Sequence, residues 1–221
     1  MPEIELGGKR IHYELILKRV KYLRVYLAPD GRLIVVSPTR NVEPILKAKK
    51  AWILNKINRI EKIKELSSKF PYLGRFYDVE EGESFNILED KIFIPTRKQL
   101  ERNLRKELKS TIEPLIEERA KVLGVEPNKL FVRKQKTRWG SCSAKGNLSF
   151  NLALMALPKS LIDYVVTHEV AHLRKMNHSK DFWSLVSRFH PDWKKKRKEL
   201  KDWWLIVHNN QIWKDLLEGK R

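Results

Sequence analysis

His168-Glu169-Val170-Ala171-His172, with His178 six residues further on, is the stretch from which the chain's organisation can be read. Two histidines four apart on a helix lie about 40° apart around its axis, one turn above each other. That spacing brings two imidazoles to one point, as a tetrahedral Zn²⁺ requires. Glu169 stands at the edge of the same face, about 100° from His168 and about 60° from His172. It is placed beside a metal rather than on it, where a carboxylate can take a proton from water. A chain break near Asn177 would let His178 return as a third ligand. The fourth position would stay open, which separates a catalytic zinc from a structural one. The bland alternative is a polar helix face with two solvated histidines. Leu161, Ile162, Val165 and Val166 precede the motif and argue against it. They make the helix apolar and buried, and buried imidazoles and carboxylates need partners.

The chain has 221 residues, enough for one large or two small domains with a real core. No apolar run approaches the roughly 18–20 residues of a membrane span. Met1-Pro2-Glu3-Ile4-Glu5 has neither a basic start nor an apolar signal core, so a soluble, cytoplasmic protein is expected. Cys142 has no second cysteine to pair with, which agrees with a reducing compartment. Lys and Arg number 46 against 27 acidic residues, a net charge of +19. That excess favours an anionic partner: nucleic acid, bound non-specifically, nucleotide phosphate or an acidic polypeptide. The alternative is a generally solvated basic surface. Only Lys194-Lys195-Lys196-Arg197-Lys198 forms a dense run, and on a helix its charges would radiate.

Three strands are expected at Ile11 to Leu17, Leu23 to Leu27 and Leu33 to Val36, the last two forming a hairpin around Pro29-Asp30-Gly31. One long helix follows from Asn41, as its cap, to about Ser68. Three short strands at Phe76 to Val79, Ser84 to Leu88 and Lys91 to Ile94 complete a first region, 1–95. Thr96 can cap a second long helix, about Arg97 to Leu123, ended by Gly124, with a kink or break at Pro114. Leu130 to Val132, Gln135 to Ser143 and Asn147 to Leu154 read as a small sheet. The motif helix follows, with Ser160 and Asp163 in capping-box positions. Two more helices complete a second region, 96–210: Lys180 to Phe189, capped by Ser179, and Asp192 to about Leu205. Residues 211–221 are left as a C-terminal tail. The fold class is α+β, a zincin-like domain of a small antiparallel sheet and helices, preceded by a β-rich region with a long helix. In this arrangement Asn147 to Leu154 would be an edge strand able to pair with an extended substrate.

The chain resembles the YgjP-like metallopeptidase family, and is more distantly similar to SprT-like and WLM-type zinc peptidases. The resemblance rests on Arg138-Trp139-Gly140-Ser141-Cys142-Ser143 with Gly146-Asn147-Leu148-Ser149-Phe150-Asn151, on His168 to Leu173, and on Asn177-His178-Ser179 leading to Phe182-Trp183. It implies a Zn²⁺ held by His168, His172 and His178, with Glu169 as catalytic base. The His168-to-His178 spacing equals that of metzincins, but Lys175 stands where metzincins have glycine. An acidic third ligand from a later helix, Glu199 or Asp202, is the alternative to His178.

Other residues have two readings. Cys142 is either a ligand that blocks the metal or a small buried residue, and the second is favoured. Trp139 and Trp183 read as core packing before substrate platforms. Arg138 could hold an anionic group or form a structural ion pair. Tyr164, His190 and His208 are candidates to stabilise an oxyanion. The leading functional reading is a zinc-dependent hydrolase acting on polypeptide. The rivals are a phosphoanhydride hydrolase acting on nucleoside triphosphates, for which no Gly-rich phosphate loop is present, and a nucleic-acid-associated protein with conditional protease activity.

Overall fold

Period-two alternation of apolar residues builds the N-terminal sheet. In the computed structural model, which describes residues 1–28 and 32–218, the strands are β1 (Glu3–Leu6), β2 (Lys9–Leu17), β3 (Arg24–Leu27) and β4 (Leu33–Ser37). Their order is β1-β2-β4-β3, with β2 and β4 parallel and the other pairs antiparallel. β3 and β4 pair as the expected hairpin, while the turn at Pro29-Asp30-Gly31 lies outside the described residues. Ile4, Leu6, Ile11, Leu33 and Val35 bury one face against Val42 and against Leu46 and Ile53 of the following helices. The single long helix expected from Asn41 is two: α1 (Glu43–Ala48) and α2 (Lys50–Ser68), interrupted at Lys49. The N-cap is Val42 rather than Asn41, and no side chain caps it.

The chain divides into two compact units, Met1–Glu65 and Leu66–Arg221, so the division falls inside α2 and not near residue 95. The reason is hydrophobic. Strands β5 (Phe70–Tyr72), β6 (Arg75–Glu81), β7 (Asn86–Leu88) and β8 (Lys91–Ile94) form a sheet of order β5-β6-β8-β7. Their Phe70, Tyr72, Tyr77 and Ile92 join the core of the second unit, not the first.

In the second unit α3 (Arg97–Leu123) runs unbroken through Pro114 and ends at left-handed Gly124. A proline inside a helix costs roughly 3 kcal/mol. Here it sits on the exposed face, and Leu100, Leu104, Leu108, Ile112 and Ile116 bury a continuous stripe that offsets that cost.

The small sheet is β9 (Leu130–Arg133), β10 (Gly140–Cys142) and β11 (Leu148–Asn151), in the order β10-β11-β9. It is mixed, since β11 pairs parallel with β9 and antiparallel with β10. The expected edge strand is thus corrected. β11 is central, all four of its residues are buried, and the chain turns into a 3-10 segment at Leu152–Ala156. β10 is the edge.

Four helices follow: α4 (Lys159–His172), α5 (Lys180–Ser187), α6 (Trp193–Asn209) and α7 (Gln211–Glu218). The last replaces the expected tail. Trp213 of α7 is fully buried, stacks on Phe70 at 5.6 Å, and donates from Nε1 to the Pro71 carbonyl at 3.0 Å.

Candidate active site

The motif helix α4 is apolar on most of its circumference, and Leu161, Ile162, Val165, Val166 and Val170 are buried. The expected capping box does not form, because the N-cap is Pro158. Asp163 is drawn elsewhere, to Arg119 of α3 at 2.8 Å. Arg119 also donates to Thr167 Oγ1, which lies 3.2 Å from Nε2 of buried His190. Burial pushes the Asp163 carboxyl upward, but the His190 hydrogen bond and the Arg119 charge outweigh it and hold the group below the usual carboxylate range. His190 therefore supports α4 from behind. His208 stacks on Trp204 at 3.9 Å and bonds to the Trp204 carbonyl through Nδ1. Of the three oxyanion candidates only Tyr164 lines the cavity beside the motif.

His168, His172 and His178 come together, with one ligand atom from each lying within 4.8 Å of the others. Among the described residues this is the one group of three or more His, Cys, Asp and Glu side chains so arranged. Glu199, Asp202 and Cys142 are outside it. His178 returns because α4 ends in a tight turn. Leu173 N–H bonds to Val170 O, and Arg174 and Lys175 N–H both bond to Ala171 O. Lys175 needs no left-handed backbone, which answers the missing glycine. Ser179 then accepts from Phe182 N–H and starts α5. Phe182 of α5 stacks on His172 at 4.5 Å, and Trp183 stacks on His178 at 5.5 Å.

The donor set fits a metal on three counts. His168 Nε2 and His178 Nε2 are 3.0 Å apart, and ligands of a tetrahedral zinc lie roughly 3.3 Å from one another. His172 Nδ1 lies 3.0 Å from the Lys175 carbonyl, a bond that keeps the proton on Nδ1 and leaves Nε2 its lone pair. Burial pushes His168 down to about 3, with the neighbouring His172 and His178 adding to the effect; it lowers His172 as well, against the pull of the Lys175 carbonyl. Both imidazoles are thus neutral near pH 7, the form that ligates.

Glu169 is 6% exposed. Burial pushes its carboxyl up to about 8, while the Arg138 charge acts the other way. Its aliphatic stem packs on the backbone of Gly140 at the start of β10. A Cβ at Gly140 would stand 2.8 Å from Glu169 Cγ and 3.0 Å from Oε1. Gly140→Ala is therefore expected to shift Glu169 and lower turnover roughly 10–100-fold. Metal content, measured in parallel, should be unchanged.

The segment before β10 is clasped by fully buried Asn151. Its Nδ2 donates to the carbonyls of Gln135 at 2.8 Å and Arg138 at 2.9 Å, and its Oδ1 accepts from Ala153 N–H at 3.1 Å. Asn151→Ala leaves those buried groups unpaired. It is expected to destabilise the fold by about 1–3 kcal/mol, read from denaturant midpoints. Sequence reasoning does not find the roles of Gly140 and Asn151. The only signal is that both belong to the segments carrying the family resemblance.

Arg138, Trp139, Tyr164, Trp183 and Arg197 join His168, Glu169 and His178 around a cavity of about 750 Å³. Trp139 and Trp183, expected as core packing, are half-buried: they pack against the core and also line the cavity. Cys142 lies on β10, and burial, with the Glu169 charge adding to it, pushes its thiol up to about 11. A protonated, unactivated thiol agrees with its bland reading.

A mixed α+β fold that gathers three imidazoles next to a buried carboxylate, in a cavity, defines a metallopeptidase type of centre. The chain belongs to the YgjP-like, metallopeptidase domain family, whose sequence model matches residues 21–203. A solved structure similar to part of the chain is that of the metallopeptidase zymogen of Pyrococcus abyssi abylysin. It has 26% identity, covers 40% of this chain and 90% of that one, and has a TM-score of 0.38. No curated protein matches the chain.

Proposed function

We propose that the chain is a zinc-dependent peptidase in which His168, His172 and His178 hold the metal and Glu169 is the general base. The observation that carries this reading is the convergence of three imidazoles within 4.8 Å beside a carboxylate that is buried yet lines the cavity. A bound Zn²⁺ would polarise the scissile carbonyl and bring the pKa of water toward about 7. Glu169 takes the proton from the attacking water and passes it to the leaving amine. The Arg138 charge favours the ionised carboxylate that the first step needs. Tyr164, Trp139 and Trp183 wall the cavity against bulk water.

The polypeptide would lie along β10, the free edge. Asn151 N–H bonds to Trp139 O, and Ser143 N–H to Asn147 O, so these positions face β11. By the alternation of an antiparallel ladder, Gly140 and Cys142 turn their N–H and C=O groups outward. An extended substrate can pair there. Peptides N-methylated at alternate amides are expected to bind about five- to tenfold more weakly when the blocked amides face β10, since each lost bond is worth about 1 kcal/mol. Equal affinity of both methylation frames would remove β10 from the reading. Casein-like protein incubated with wild type and Glu169→Gln is the direct assay.

The two guanidinium groups in the cavity favour a second reading, hydrolysis of a phosphoanhydride. Triphosphates run beside casein, with the same Glu169 control, separate the two. Non-specific nucleic acid stays a proposal on net charge alone. The Lys194–Lys198 run does not form a stripe, because Lys196 turns to Asp192 and the Ser160 carbonyl, and Arg197 to the cavity. No described helix is long and apolar enough to cross a membrane.

A further inference from the structure

The cavity that holds Glu169 is lined by two other charged side chains, Arg138 and Arg197, and by no second carboxylate. Neither guanidinium has an ion-pair partner among the described residues. Both side chains are exposed; Arg197 is oriented by an aromatic ring, and Arg138 by the backbone it springs from. Arg138 belongs to the segment whose carbonyls Asn151 clasps, at 2.8 Å for Gln135 and 2.9 Å for Arg138 itself. Arg197 projects from α6 over the ring of Trp183, at 5.7 Å from its centroid. Trp183 also stacks with Trp193 at 3.9 Å and with His178 at 5.5 Å. Stacking on an aromatic face orients a guanidinium without neutralising it. Elsewhere on this chain carboxylates do neutralise cations, as with Arg105 and Lys134, which share Glu101.

We propose that Arg138 and Arg197 form an acidic-side-chain subsite, selecting polypeptides with a Glu or Asp next to the bond that is cut. This rests on the peptidase reading above. One arginine comes from the irregular segment leading into β10 and the other from α6, with the Trp183 ring beside it. A substrate strand on β10 passes Arg138, and alternate side chains point the same way. A glutamate there would set its aliphatic stem against an aromatic ring and its carboxylate between two forks that match its geometry. A polyphosphate fits less well. The Thr137-Arg138-Trp139-Gly140 segment is not a glycine-rich nest of backbone N–H groups.

The test uses the full chain with Glu169→Gln, loaded with Zn²⁺, so that binding is read without turnover. Peptides carrying a single Glu, scanned through successive positions, are compared with their Gln counterparts by calorimetry. Inorganic tripolyphosphate is run as a second probe. At one position the Glu peptide is expected to bind about tenfold more tightly, and the ratio should shrink with salt. Arg138→Gln with Arg197→Gln should bring the ratio to about one, while Arg→Lys at both sites should keep part of it. Circular dichroism and zinc content establish that each variant is folded and loaded. Equal affinity for Glu and Gln peptides at every position overturns the subsite, as does a preference that survives in the double Gln variant. Arginine-dependent binding of tripolyphosphate without any Glu preference also overturns it. Wild-type turnover of the same pairs keeps the two readings apart. Equal cleavage of Glu and Gln peptides sinks only the subsite. Arginine-dependent Glu binding with no cleavage supports the subsite and sinks the peptidase.

Discussion

Glu169→Gln is expected to lose hydrolysis by a factor of about 10² or more while keeping its zinc, since general acid–base catalysis supplies at least that much. The substitution preserves the shape that packs on Gly140 and removes only the proton-accepting charge. The same variant carries a signature in the metal-free chain that does not depend on any substrate. Burial holds the Glu169 carboxyl at about 8, against an ordinary value of 4.5. A raised carboxyl means that the folded state binds a proton the unfolded state releases. Its contribution to stability is full below the unfolded value and is lost as pH rises toward 8. Each tenfold gain in proton affinity on folding is worth about 1.4 kcal/mol. Metal-free Glu169→Gln should therefore gain in melting temperature over metal-free wild type at pH 8, and the gap should close near pH 5. The depressed His168 and His172 titrate in both proteins and cancel in the comparison. Wild-type turnover in the variant would sink the catalytic role, and identical pH profiles of stability would sink the buried, protonated carboxyl.

His172→Ala is expected to reduce zinc from about one per chain to near none and to abolish activity with it. Its Nδ1 is fixed by the Lys175 carbonyl, its ring is stacked on Phe182, and its Nε2 is left with no other task. His168→Ala should behave alike. His178→Ala tests the third ligand. It is exposed and reaches the cluster only through the Leu173–Lys175 turn, so its loss should weaken binding strongly and leave the fold intact. Glu199→Ala should leave zinc in place, because Glu199 pairs with Lys195 outside the cluster. Elemental analysis of the purified variants decides each case. Zinc retained in full by the His168, His172 double variant would place the metal elsewhere.

Much of the second unit is legible in the sequence because local chemistry and tertiary demand agree there. The α3 limits follow from Thr96 and Gly124, α5 from Ser179, and the motif helix from its apolar run. Where packing overrules local preference, the sequence misleads. Asn41 and Ser160 are good caps, yet the chain starts α1 after Val42 and α4 after Pro158. Pro114 should break a helix, but the leucine and isoleucine stripe of α3 holds it together. The 211–221 stretch is short and carries Lys214, Asp215 and Glu218, so it reads as a tail. Trp213 finds Phe70 and the Pro71 carbonyl only in three dimensions.

By itself, the sequence determined which side chains could meet a metal, because the period of a helix converts a spacing of four residues into a shared face. It also determined that Glu169 stands beside that face and that the helix is apolar enough to be buried. Only the tertiary structure decided what surrounds them. Strand order cannot be read from strand content, so the exchange of β11 for β10 as the free edge was invisible along the chain. Gly140 and Glu169 are 29 residues apart in sequence, and Arg138 and Arg197 are 59 apart. No local propensity encodes such pairs. Gly140 reaches Glu169, and the two arginines reach one cavity, because α4 packs on β10 and α6 packs on α4 around a common apolar core.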